Sequence, residues 1–350
     1  MKILHINSEK SWRGGEQQMA NLMHQLSKHK VENIICCKTN SEFSAYAKKN
    51  NISFCETKFK GLKIKDALNI KRFVKKEKID LIHTHSANAH TAAFYAAIFG
   101  MKTPIVVSKR TDFPVKTQWK FDHHAISKIL CVSQKIAQIT KSGMENKEKV
   151  FTVHSGINPE RFNIEQIDLK KEFNITKPLI GNCSAIAPHK DYFTFAQVAK
   201  LMPEAQFIIM GDGPMEDEIK AYVKEQKIEN IIFTGFLTDI NKKLKSLDLF
   251  LMTSTTEGLG TSLLDAMLCE VPIVATRVGG IPEIVIHDKT GLSSKAKDVR
   301  DLAKNCKKIL EDDELRARLV RNAKEQVLKD YTDEQTALKT LKHYKNILEA

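Results

Sequence analysis

The sequence predicts an α/β protein built from two doubly wound parallel sheets, and three observations carry that prediction. Short β-branched runs alternate with amphipathic helical stretches. The alternation pauses in a polar stretch, residues 158–177, which is expected to be the linker, and restarts near Pro178. At 350 residues and 42% hydrophobic content, the chain has material for two cores.

In the first half, strands are expected at residues 2–6, 31–37, 81–83, 104–107, 129–132 and 150–153. Helices fit between them at 16–27, 41–49, 65–76, 87–99 and 134–142. In 65–76, Leu68, Phe73 and Val74 form an apolar side opposite lysines. In the second half, strands are expected at 179–183, 206–210, 231–234, 249–252 and 273–275, with helices at 193–201, 215–225, 240–246 and 261–269. The last fifty residues read as charged helix. The expected division is a first domain over 1–165 and a second over 166–334, with a final helix at about 335–350 returning to the first. Two Rossmann-like domains facing across a cleft would bind ligands at the C-terminal ends of their strands.

The N-terminal Met1-Lys2-Ile3-Leu4-His5-Ile6-Asn7 reads as a strand, without the long apolar core of a signal peptide. The longest membrane-span candidate, 91–99, is far short of the roughly 20 residues a span needs. Seven scattered cysteines, an odd number with no CxxC pair, read as reduced thiols. A cytoplasmic protein is expected, with peripheral contact at the inner membrane face as an option. The net charge of +13 is lopsided: residues 1–165 hold 28 Lys and Arg against 14 Asp and Glu, and residues 166–350 hold 27 against 28. Anionic lipid, phosphorylated glycan or nucleic acid would suit such a surface, as would plain solvent. No recognition-helix, RNP or zinc-finger signature supports a nucleic-acid partner.

The sharpest chemical segment is Thr255-Thr256-Glu257-Gly258-Leu259-Gly260-Thr261-Ser262-Leu263-Leu264-Asp265. An apolar strand ends, two glycines follow and a capped helix begins. The free N–H groups and positive dipole end of such a helix suit a phosphate, and glycine lets the backbone approach it. Glu257 in the loop and Asp265 on the helix could reach sugar hydroxyls. Turn glycines before an ordinary helix would look the same.

A wider set of segments resembles the retaining glycosyltransferases of the GT-B fold, glycosyltransferase family 4. The family has a Gly-Gly near its N-terminus and a Lys early in its second domain. A Gly-Asp-Gly-Pro, two acids separated by seven residues, a Gly-Gly-Ile-Pro-Glu and a late Gly turn then follow. Here these read Gly14-Gly15, Lys190, Gly211-Asp212-Gly213-Pro214, Glu257 with Asp265, Gly279-Gly280-Ile281-Pro282-Glu283, and Thr290-Gly291. The resemblance covers nearly the whole chain. It implies a nucleoside diphosphate sugar donor (UDP-, GDP- or ADP-linked) and no metal or other cofactor. It also implies an acceptor held by the first domain, expected to be a glycan or lipid-linked saccharide of the cell surface. Gly15 would approach the donor diphosphate, and Lys190 with the amides of Gly258, Leu259, Gly260 and Thr261 would neutralise it. Glu257 would contact the sugar, Asp265 the ribose, and Leu237 the base.

Three departures stand out. Asp265 replaces the usual Glu. Ala185 stands where the family often has an Arg, so Arg13 or His189 is a candidate replacement cation. Arg110 occupies the place of a common His, either as a charged acceptor or sugar contact or as a partner of Asp112. His85, ending a strand, is a candidate acceptor contact or a packing histidine, and His123-His124 resembles a metal pair only superficially. A non-catalytic nucleotide-sugar-binding subunit and a nucleotide-sugar epimerase of the same fold remain alternatives.

Overall fold

A computed structural model of the chain describes residues 1–59 and 63–349. Seven parallel strands form the first sheet: β1 (Lys2–Asn7), β2 (Glu32–Lys38), β3 (Phe54–Thr57), β4 (Leu81–Thr84), β5 (Ile105–Lys109), β6 (Ile126–Cys131) and β7 (Val150–Thr152), in the order β3-β2-β1-β4-β5-β6-β7. Six more form the second: β8 (Leu179–Cys183), β9 (Gln206–Met210), β10 (Ile231–Gly235), β11 (Leu249–Met252), β12 (Ile273–Thr276) and β13 (Leu292–Ser294), in the order β10-β9-β8-β11-β12-β13.

Parallel strands are covered by helices on both faces, so their sequences tend to near-continuous apolar runs rather than alternation. Ile34-Ile35-Cys36-Cys37 and Leu249-Phe250-Leu251-Met252 are accordingly buried at every position. All seven cysteines are free. The strand order reverses direction between β1 and β4 in one sheet and between β8 and β11 in the other. At such a switch point the flanking helices leave to opposite faces, and a crevice opens at the strands' C-terminal ends.

The first unit comprises Met1–Gly156 and the segment from Asp333, and the second comprises Ile157–Thr332. The chain thus changes unit after Gly156, not after residue 165. The stretch 158–177, expected as a linker, belongs to the second unit. Leu169 is fully buried, and its N–H donates to Ser246 Oγ at 3.0 Å. Ile167 N–H donates to Lys242 O at 2.8 Å, and Asn241 Nδ2 to Arg161 O at 2.7 Å. Its polar surface hides one buried leucine, which is why composition alone misplaces it. The final helix spans Asp333–Leu348 rather than 335–350, residue 350 lying outside the described residues. Its Ala337, Leu341 and Tyr344 share a core with Ile3, Leu22 and Leu81 of the first unit. Among the described residues no helix is long and apolar enough to cross a membrane.

Candidate functional site

In the second unit, Lys190, Glu257 and the loop that follows it gather around the β8/β11 switch point. After β8 the chain makes a 3-10 turn, Pro188–Lys190, ended by Asp191 in the left-handed region (φ 49°), whose carboxylate caps the helix Tyr192–Leu201. After β11, Thr253 Oγ1 donates to the carbonyls of Lys190 and Asp191, and Thr255 N–H donates to His189 O at 2.8 Å. These bonds staple the two loops together. Lys190 Nζ consequently lies 2.7 Å from Glu257 Oε2, with the two side chains 13% and 15% exposed. Gly260 (φ 90°) precedes the helix Thr261–Leu268. Glu257, Gly258, Leu259, Gly260 and Thr261 therefore run continuously from the ion pair into a helix N-terminus. Leu259 itself buries its side chain and leaves only backbone to a ligand.

Asp265 lies further along that helix. Its Oδ1 is shut off from water and has no hydrogen-bond partner among the described residues. Burial raises its pKa to about 6, opposed by the positive charge of Arg161. Arg161, in the stretch misread as a linker, is a neighbour that motif spacing did not reveal. Leu237 follows β10 as half-buried backbone. Ala185 offers no charge, and the adjacent Ile186 N–H instead donates to Asp212 O at 2.7 Å. A side chain at Gly213 would meet Ile186 O at 2.4 Å, so Gly-Asp-Gly-Pro is explained by this close packing of loops.

In the first unit, Gly14 and Gly15 open the helix Gly14–Lys28, and Arg13 is exposed at its N-cap. A side chain added to Gly15 would meet no atom within 4 Å, so protein packing does not require glycine there. His5, His83 and His85 come together at the β1/β4 switch point, with ligating atoms all within 4.8 Å. No sequence motif announced this cluster, since His5 is on a different strand. His83 is hydrogen-bonded to Tyr344 Oη and to Ser108 Oγ, the latter at 2.8 Å, and so packs rather than projects. Asn33 Nδ2 donates to Met23 O, Val31 O and Ser27 Oγ, which turns its Oδ1 toward His5 Nε2 at 3.0 Å. His5 Nε2 therefore carries its proton. Burial lowers the His5 pKa to about 4, with the Asn33 bond opposing, so the ring is neutral and Nδ1 accepts. His85 Nε2 then donates to it at 3.0 Å, leaving His85 Nδ1 as a buried acceptor without a partner among the described residues.

Arg110 follows β5. It makes no ion pair with Asp112 or any other acid among the described residues. Burial lowers its pKa to about 10, with Glu16 opposing. His123 and His124 stack at 4.2 Å between ring centroids and join no group of three metal-ligating side chains among the described residues.

Two sequence profiles tile the chain: residues 12–161 match "Glycosyltransferase Family 4" and residues 163–326 match "Glycosyl transferases group 1". The chain belongs to glycosyltransferase family 4. It is 29% identical over 279 residues to the N-acetyl-alpha-D-glucosaminyl L-malate synthase of Bacillus anthracis, covering 74% of this chain and 73% of that protein. It is 26% identical over 276 residues to the 2-deoxystreptamine glucosyltransferase of Streptomyces kanamyceticus, covering 74% and 71%. A crystal structure of Anabaena HepE in complex with UDP and glucose superimposes with a TM-score of 0.86 at 18% identity, over 99% of this chain and 100% of that one. The two parallel sheets are those of the GT-B fold. The protein is thus a glycosyltransferase, and its Lys190–Glu257 pair stands where a GT-B sheet reverses direction.

Proposed function

We propose that this glycosyltransferase moves a sugar from a nucleoside diphosphate sugar to a hydroxyl of its acceptor, with retention of configuration and without a metal. The observation that carries the reading is the Lys190–Glu257 pair at 2.7 Å, leading into the helix start at Gly260-Thr261. Departure of a diphosphate is the difficult part of glycosyl transfer, and fixed cations and amide dipoles stabilise the charge that develops. Lys190 and the amides of Gly258–Thr261 supply that field, Glu257 holds the sugar, Asp265 the ribose and Leu237 the base. In the first unit, Gly14 and Gly15 open a helix N-terminus of their own, and with Arg13 at its N-cap this is a second place suited to a phosphate. The excess positive charge of the first half favours an acidic acceptor, such as a phosphorylated or lipid-linked glycan.

Thermal unfolding against UDP, GDP and ADP in EDTA tests this reading. A ligand at 100 times its dissociation constant adds about 2.7 kcal/mol to the native state, which raises the melting temperature by a few degrees. One nucleoside diphosphate is expected to do so. No shift with any of them would remove the donor site as drawn.

Asp265 gives the donor site a pH signature. Ribose hydroxyls donate more strongly to an ionised carboxylate, so nucleotide affinity is expected to rise as pH increases through about 6. In the unliganded protein the folded state holds the Asp265 proton more tightly than the unfolded chain does. Its contribution to stability therefore falls as pH rises from 3.8 to about 6. Calorimetric titration of UDP into wild type and Asp265→Asn separates this step from titration of the diphosphate itself. An identical pH profile in the two proteins would remove Asp265 from the ribose site.

A further inference from the structure

Two thiols of the first unit stand side by side on neighbouring strands. Cys36 of β2 and Cys55 of β3 are partners in the parallel register, and both are free. Neighbouring strands lie about 4.8 Å apart, and registered side chains leave the same face of the sheet. That spacing falls within the roughly 4.4–6.8 Å between Cα atoms that a disulfide spans. Cys37 leaves the other face and packs with Met19 and Phe43. β3 is a strand of four residues at the end of the sheet order, so a small adjustment there disturbs pairing on one side only.

Both thiols also reach one open space. A cavity of about 300 Å³ is lined by Cys36, Cys55 and Thr57 from the two strands and by Ile70 and Phe73 from the helix Lys63–Glu77. Its volume is at the small end of small-molecule sites, enough for a short-chain reagent. Cys55 is half-buried and Cys36 only 1% exposed, so a reagent in the cavity meets Cys55 first and Cys36 stands behind it. We propose that Cys36 and Cys55 form a redox-modification site, where a low-molecular-weight disulfide is reduced and the two thiols close to a reversible cross-strand bridge.

The Cys55 sulfur attacks one sulfur of the reagent, whose S–S bond breaks. One half leaves as a thiolate and takes up the Cys55 proton, and the other half stays on Cys55 as a mixed disulfide. The Cys36 sulfur then attacks that of Cys55, and the second half leaves with the Cys36 proton. Two protein thiols are oxidised and one reagent disulfide becomes two thiols. The order of attack agrees with the hydrogen bond between the thiols, which ahead of burial raises the Cys36 pKa well above its ordinary 9.0. Cys36 therefore keeps its proton while Cys55 is free, and holds it less tightly once the Cys55 sulfur is bonded to the reagent.

Bis(2-hydroxyethyl) disulfide, added to the folded protein and quenched with acid, tests the inference by intact mass and non-reducing peptide mapping. Wild type is expected to lose two hydrogens and to yield the Cys36 and Cys55 peptides joined, with dithiothreitol restoring both thiols. Cys36→Ser is expected to stop at the mixed disulfide on Cys55. Cys55→Ser is expected to leave residue 36 unreacted. Melting temperatures with and without UDP check that each variant is folded, and the wild-type product stands by itself should a variant not fold. A mixed disulfide that persists on Cys55 in wild type, or no reaction at Cys55, overturns the inference. Joined peptides in Cys36→Ser would give the bond to Cys37 and overturn it equally. None of these outcomes bears on the donor reading.

Discussion

Lys190→Ala is expected to lower kcat/KM by about 10²–10³-fold while leaving the protein folded but less stable. The loss of rate follows from removing a preorganised cation beside the departing diphosphate, an effect of the size seen when one oxyanion-stabilising donor is deleted. The loss of stability follows from the pair itself. Lys190 Nζ and Glu257 Oε2 are 2.7 Å apart, and both side chains are mostly buried. Without the lysine, that oxygen keeps a hydrogen bond from Ser254 Oγ at 3.4 Å among the described residues. Breaking one side of a buried pair costs more than the pair contributes, because the survivor keeps its desolvated charge. Lys190→Ala combined with Glu257→Gln should therefore recover much of the melting temperature without recovering activity. The two readouts separate a structural lysine from a catalytic one. A single variant that kept kcat/KM within about twofold of wild type would mean that Lys190 serves the loop alone.

The parts of this molecule legible in its sequence are those whose physics is local. β8, β9 and β11 fall at the expected residues because each is almost wholly apolar, Asn182 and Gln206 aside, and buried on both faces. The two strands that were not expected, β3 and β13, are edge strands. Phe54-Cys55-Glu56-Thr57 is only partly buried, and Leu292-Ser293-Ser294 carries two serines. Their strand character comes from the neighbour they pair with, Val274 opposite Leu292 for example, and no window of sequence contains that partner. The short helix Gln118–Asp122 was missed for a similar reason, since it buries no residue fully and so leaves no periodic signal.

The same division holds at the site. Glu257, the two glycines and Thr261 are contiguous, so a strand–loop–helix unit could be read directly. Lys190 came from the family resemblance, and its contact with Glu257 spans 67 residues. The chain Asn33–His5–His85 joins residues 28 and 80 positions apart, and only the order of β2, β1 and β4 in the sheet brings them together. Arg161 escaped notice because polar composition was taken for a linker, when burial of Leu169 anchors that stretch to the second unit.

Gly279→Ala is expected to be the most damaging small substitution in the second unit, although residue 279 touches no proposed substrate group. Two observations agree on this. Gly279 has φ of 54°, in the left-handed region that an alanine side chain disfavours by roughly 1–2 kcal/mol. An added Cβ would also fall 1.8 Å from Glu257 O and 2.9 Å from Glu257 N. Those are backbone atoms, so no side-chain rotation relieves the overlap. The loop after β12 is further tied to Glu257 by Gly280 N–H, which donates to Glu257 O at 3.1 Å. Accommodating the methyl group therefore means moving either the Val278–Gly280 turn or the backbone of Glu257. Moving Glu257 disturbs the pair with Lys190 and the amides that follow it, since Gly258 to Thr261 continue the same loop. A destabilisation of at least about 2 kcal/mol is expected, together with weakened nucleoside diphosphate binding in the fraction that folds. Gly15→Ala is the informative comparison, because a methyl group there meets no protein atom and should leave the melting temperature unchanged. Urea unfolding of both variants, each with a UDP titration, checks the pair. Near-wild-type stability and UDP affinity in Gly279→Ala would show that the turn after β12 yields without Glu257, and that the glycine does not set the position of the acid.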